Sequence, residues 1–132
     1  MTIHSTVAID TCVISENQAG YTGGGVDNLF GELTITNTTL HGNQARIGGG
    51  IFNGGMLTLA NSTISGNTAE EIGGGLDNNE QAVLTNVTIY GNSAALEPSD
   101  PQGLRGLGGG IFSDWSLSLN YVTLAHNSGD GL

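Results

Sequence analysis

Lysine is missing from these 132 residues, and arginine occurs only at Arg46 and Arg105, against 12 Asp+Glu and a formal net charge of −10. Such a chain cannot neutralise a phosphate backbone, which argues against nucleic acid as a partner. Anionic membrane surfaces are disfavoured for the same reason. Cysteine occurs once, at Cys12, so no internal disulfide can form. No run approaches the roughly 20 apolar residues of a spanning helix, so direct membrane insertion is not expected. A secretory leader is not evident either. Aromatic residues make up only 5 % of the chain, so a core must be built from aliphatics. No useful stretch shows apolar residues at helical spacing, and no helix is placed.

What the chain has instead is glycine, 23 of them, set out on a period. The stretch 48–72, GGGIFNGGMLTLANSTISGNTAEEI, is written five times, as 1–22, 23–47, 48–72, 73–107 and 108–132. Gly23, Gly48, Gly73 and Gly108 open four of the copies with a GGG triplet, and Asn17, Asn43, Asn67, Asn92 and Asn127 mark one point in every copy. A fixed period of this length is the signature of a repeat architecture.

Within one copy, Ile51-Phe52-Asn53, Leu57-Thr58-Leu59 and Ser62-Thr63-Ile64-Ser65 are short runs punctuated by Gly or Asn, the last two alternating apolar and polar. Period two reads as strand. Three such strands cannot form a core alone, but stacked on their copies they make three parallel sheets wound into one coil. Crossovers between parallel strands are overwhelmingly right-handed. The expected fold is therefore an all-β, right-handed parallel β-helix of about five rungs in a single domain, 1–132. Its inward columns are Val7/Leu33/Leu57/Ala82/Leu117, Ile9/Ile35/Leu59/Leu84/Leu119, Ile14/Leu40/Ile64/Ile89/Leu124 and Val26/Ile51/Leu76/Ile111. Each buried aliphatic contributes roughly 1.5–3 kcal/mol. Cys12 shares a column with Thr38, Ser62, Val87 and Val122, which is expected to face inward. Thr39, Thr63, Thr88 and Thr123 form an outward one.

The GGGIFN and LTLANSTISGN segments resemble the repeats of bacterial right-handed β-helix proteins, including the polymorphic outer-membrane protein type, over all 132 residues. Pectate-lyase-like β-helices belong to the same broad superfamily. The resemblance implies a scaffold shared by adhesins, autotransported passengers and polysaccharide-degrading enzymes. It also implies an extracellular or cell-surface location. Met1 aligns with Ile51 and Leu132 with Ile72, so the chain starts and stops at one seam with no capping unit. The expectation is a fragment of a longer β-helix, whose bare end rungs favour end-to-end self-association.

Asn37, Asn61 and Asn86 are expected at one corner and the Asn17 column at another, where stacked amides satisfy the backbone and one another. The sequons starting at Asn37, Asn61 and Asn86 are generated by the repeat itself and are not read as glycosylation sites. The glycine triplets are expected to form a tight corner free of side chains.

The one departure from the period is 96–105, LEPSDPQGLR, which holds both prolines and Arg105. Insertions on solenoids bulge as loops, often on the binding side. This one is expected to overhang an outward column of Asp27, Phe52, Asp77 and Phe112, beside Phe30 and Trp115 at the next corner. Those six residues with Arg105 form the candidate binding site. Aromatics beside acids suit a polysaccharide or cell-surface glycan, whose apolar ring faces stack on aromatic rings while hydroxyls meet polar groups.

Catalysis is weakly supported. Asp27 and Asp77, two rungs apart, would lie roughly 9–10 Å from one another, at the upper edge for inverting glycoside hydrolysis. A solvated acidic face accounts for them more simply. Resemblance to pectate lyases would imply calcium-binding acids with a basic residue that abstracts a proton, and only Arg46 and Arg105 are available. Calcium enters only through that resemblance. His4, His41 and His126 fall in three columns and suggest no metal site or nucleophile–base pair. The expected function is thus a structural or binding β-helix segment of an exported bacterial surface protein. A polysaccharide lyase or hydrolase is the alternative, and a self-stacking unit the third.

Overall fold

The computed structural model describes residues 1–95 and 106–129, among which there is no helix. The insertion at 96–105, Arg105 included, lies outside the described residues. The first rung holds β1 (Thr2–Ile3), β2 (Thr6–Asp10) and β3 (Val13–Ser15). The second holds β4 (Val26–Asn28), β5 (Glu32–Thr36), β6 (Thr39–His41) and β7 (Gln44–Ile47). Next come β8 (Ile51–Asn53), β9 (Met56–Ser65) and β10 (Thr68–Ile72). The fourth rung has β11 (Leu76–Asn78), β12 (Gln81–Tyr90) and β13 (Ser93–Ala94), and the last has β14 (Ile111–Ser113), β15 (Leu117–Asn120) and β16 (Thr123–Ala125).

Among the described residues every pairing is parallel and joins each rung to the next. One sheet runs β1-β4-β8-β11-β14, a second β7-β10-β13, and the largest β2-β5-β9-β12-β15 with β3, β6 and β16 beside it. Two details differ from the sequence reading. The runs Leu57–Leu59 and Ser62–Ser65 are halves of one strand, β9, bent at Asn61 (φ 49°). A further strand, β10, follows at Thr68–Ile72, where TAEEI buries only the small Ala69 and leaves Ile72 partly exposed.

The register reproduces the columns. Val7, Leu33, Leu57, Ala82 and Leu117 pair in succession, as do Ile9, Ile35, Leu59, Leu84 and Leu119. In the middle rungs these side chains are buried, whereas Val7, Ile9, Ile14, Leu117 and Leu124 on the outer rungs are only partly covered. Cys12 corrects an expectation for the same reason. Thr38, Ser62 and Val87 of its column are buried, but Cys12, on the partly covered first rung, is exposed.

Asparagine holds two interior seams. Asn17, Asn43, Asn67, Asn92 and Asn127 form a ladder in which each Nδ2 donates to the Oδ1 of the next at 2.9–3.0 Å. A second ladder runs Asn28, Asn53, Asn78 with 2.7 Å steps and ends on the Ser113 hydroxyl at 2.9 Å. Side-chain amides that both donate and accept satisfy themselves by stacking, so buried polarity costs little.

Candidate functional site

The second ladder shapes the corner between the β1-β4-β8-β11-β14 sheet and the largest sheet. Asn28 accepts from the Gly31 N–H at 3.0 Å and donates to the Gly31 carbonyl at 3.1 Å, tying down the loop between β4 and β5. Asn53 donates to the Gly55 carbonyl at 2.9 Å, and Asn78 to that of Glu80 at 3.1 Å. With their Asn held inside, the loops present their middle residues to solvent. In the second rung that residue is Phe30, 79 % exposed, and in the fifth it is Trp115, 69 % exposed. Between them the third rung offers Gly54 and Gly55, and the fourth offers Asn79 and Glu80 in register with them.

The result is an open groove of about 600 Å³ with Phe30 and Trp115 at its ends. Its floor is stacked backbone: a Cβ on Gly55 would stand 2.3 Å from the Gly31 carbonyl, and one on Gly54 2.7 Å from the Leu29 carbonyl. Glu32, Met56, Glu80 and Gln81 line it further. All four are exposed. Reasoning from the sequence named the two rings and missed these four. Their signal was present, since Glu32, Met56 and Gln81 stand one step before the inward Leu33, Leu57 and Ala82 and must therefore face out.

Asp27, Phe52, Asp77 and Phe112 do share one register column. They do not form the expected open face, and none of them lines the groove. Asp27 is 9 % exposed and Asp77 only 2 %, so the reading of a solvated acidic face is corrected. The cause is the preceding corner. Gly23 and Gly73 adopt left-handed backbone (φ 61° and 67°), folding the chain back until a Cβ on either would lie 2.6 Å from the aspartate Cβ. Phe52 and Phe112 beneath the equivalent glycines are half-buried.

Each covered aspartate has one satisfied oxygen. Thr22 Oγ1 donates to Asp27 Oδ2 at 2.8 Å, and Asn79 Nδ2 to Asp77 Oδ2 at 2.9 Å. The other oxygen of each, Oδ1, is buried with no hydrogen-bond partner among the described residues. Burial pushes the Asp77 carboxyl up to about 7 against the opposing Asn79 hydrogen bond, with the nearby Asp114 carboxylate adding to the rise. Phe52 separates the two aspartates in the column, so they do not meet as a pair. No group of three or more acids, histidines or cysteines converges among the described residues. The described residues therefore do not fit the calcium implied by the pectate-lyase resemblance, and no chemistry is routed through it.

Arg46 and the histidines do not line the groove. Arg46 is held by Glu71 at 2.9 Å and sits 5.5 Å over the Tyr21 ring. His126 makes an edge contact with Tyr90, while His4 tilts against Phe30 at 6.0 Å.

The family model for a right-handed β-helix region matches residues 2–132. No curated protein and no solved structure matches the chain. A parallel, helix-free coil of stacked rungs, matched almost from end to end, places this chain in the right-handed β-helix family.

Proposed function

We propose that this chain is a binding segment of an exported bacterial surface protein, and that its ligand is a glycan held in the Phe30–Trp115 groove. The observation that carries the reading is two highly exposed rings at opposite ends of one groove whose floor at the third rung is bare backbone. Leaving two large rings in water is unfavourable, and covering them with the apolar faces of sugar rings recovers that energy. Sugar hydroxyls then meet Gln81 and the carboxylates of Glu32 and Glu80. Export and a surface location rest on the resemblance of the repeats to those of bacterial surface β-helices. Affinity electrophoresis through gels containing soluble polysaccharides tests the binding. The wild-type chain is expected to be retarded by at least one of them, and Phe30→Ala and Trp115→Ala to be retarded less at the same polysaccharide concentration. Equal mobility in every gel would remove the reading.

The enzymatic alternative has one observation in its favour, a carboxyl at Asp77 poised to hold a proton near neutral pH. A general acid must also reach its substrate. Asp77 lies beneath the Gly73 corner and outside the groove. We therefore expect residues 1–132 to release neither reducing ends nor unsaturated uronides from pectin, alginate or neutral polysaccharides. Release that is lost in Asp77→Asn would reinstate the alternative.

A further inference from the structure

The groove has a direction and a charge, and together they narrow its ligand. Phe30 follows β4 and Trp115 follows β14, and these strands are separated in their sheet by β8 and β11 alone. Three rung steps at parallel-strand spacing put the rings about 14 Å apart along the solenoid axis. A monosaccharide cannot touch both. The residues between them carry the carboxylates of Glu32 and Glu80 and no lysine or arginine, on a chain whose net charge is −10.

We infer that the groove takes an extended, uncharged polysaccharide chain lying parallel to the solenoid axis, and that it rejects uronic-acid polymers of the same length. This rests on the glycan-binding reading and goes beyond it. A uronate chain would bring a carboxylate on each sugar against Glu32 and Glu80, with no lysine or arginine among the described lining residues to pair with. Like charges juxtaposed across an interface are a source of discrimination. A neutral chain meets the same carboxylates as hydrogen-bond acceptors for its hydroxyls. The bare backbone at Gly54 and Gly55 leaves the third rung open between the rings, and Glu80, in register with Gly55 on the fourth rung, stands beside the path as a hydroxyl partner.

Isothermal titration at pH 8 and low salt separates the possibilities, using length series of neutral glucan, mannan and xylan oligomers against oligogalacturonides. Affinity for a neutral series is expected to climb with length until the oligomer reaches from ring to ring, then level off. Oligogalacturonides of equal length should bind at least tenfold more weakly, and moderate salt should narrow that gap by screening. Phe30→Ala and Trp115→Ala should each cost roughly tenfold for the long oligomers, the usual effect of losing an aromatic anchor. Each should also leave short oligomers able to use the remaining ring. The exposed double variant Glu32→Gln/Glu80→Gln should gain oligogalacturonide binding and so narrow the gap between the two series. Oligogalacturonides binding as well as neutral oligomers would overturn the selectivity and leave the glycan reading standing. Affinity independent of length would overturn the two-ring geometry. Silence toward both series would overturn the glycan reading itself.

Discussion

Asparagine and aspartate take opposite fates in this interior because one side chain can satisfy itself by stacking and the other cannot. Asn67 donates to Asn92 Oδ1 and the Leu40 carbonyl, and accepts from the Asn43 amide and side chain, all at 2.9–3.1 Å. Asn67→Ala leaves several of these groups buried without partners, at about 1–3 kcal/mol each. Urea denaturation followed by circular dichroism should register a loss of more than about 2 kcal/mol. Asn61→Ala is the control: its side chain is exposed, and its left-handed backbone (φ 49°) limits the cost to about 1–2 kcal/mol. Asp77 is the converse case. Its carboxyl is raised from 3.8 to about 7 in the fold, so the fold favours the neutral form. That contribution is fully present below the unfolded pKa and is lost as pH rises through about 7. The swing is on the order of a few kcal/mol, since each tenfold change in proton affinity corresponds to about 1.4 kcal/mol. Melting temperature should therefore fall for the wild type from about pH 4 to pH 7 more steeply than for Asp77→Asn, which should be the more stable protein at pH 8. Parallel curves would show that Asp77 is not held neutral.

At the scale of the element, the corners matter more than the strands. A Cβ on Gly50 would stand 2.5 Å from the Gly75 carbonyl of the next rung, and neither backbone can yield without breaking the stack. Gly91, by contrast, has a left-handed backbone (φ 62°), but a Cβ there would meet nothing within 4 Å. Gly50→Ala should abolish the cooperative β-sheet transition. Gly91→Ala should fold with a loss of about 1–2 kcal/mol, the strain of a left-handed alanine. This contrast marks how far the sequence was legible. Leu57-Thr58-Leu59 announced its strand because alternation is a local property. The ladder of Asn17, Asn43, Asn67, Asn92 and Asn127 announced itself by its spacing. The sheet of β7, β10 and β13 did not, because Ala45, Ala69 and Ala94 are too small to mark an inward face. Asp27 and Asp77 were assigned correctly to a column pointing away from the core. Their covering comes from the turn at Gly23 and Gly73, which is a matter of backbone angle that residue identity does not reveal.

For the whole molecule, stacking creates both the core and the groove. Phe30 and Trp115 could be named from sequence as unusual residues at like positions. Their partnership with Met56, Glu32 and Glu80 becomes visible only when the rungs are in register. The same stacking leaves partly covered aliphatics on the outer rungs, Val7, Ile9 and Ile14 at one and Leu117 and Leu124 at the other. When residues 1–132 stand alone, light scattering should show mass rising with concentration. Moderate salt should add to the rise, since a Debye length of about 10 Å at 0.1 M screens the repulsion between like-charged copies while leaving apolar burial intact. Leu119→Lys, at a 39 % exposed position on the fifth rung, should blunt that rise. A strict monomer under all these conditions would show that the outer rungs do not associate.

Trp115 is the only tryptophan in the chain, so its emission reports directly on one end of the groove. Titration of the protein with long neutral oligosaccharides, following that emission and its quenching by iodide, is the most direct test of the groove as a glycan site. A saturable blue shift with loss of iodide quenching is expected, weakened roughly tenfold in Phe30→Ala although that residue lies at the far end. Emission and quenching that stay unchanged at every oligosaccharide concentration would contradict a glycan site in the groove.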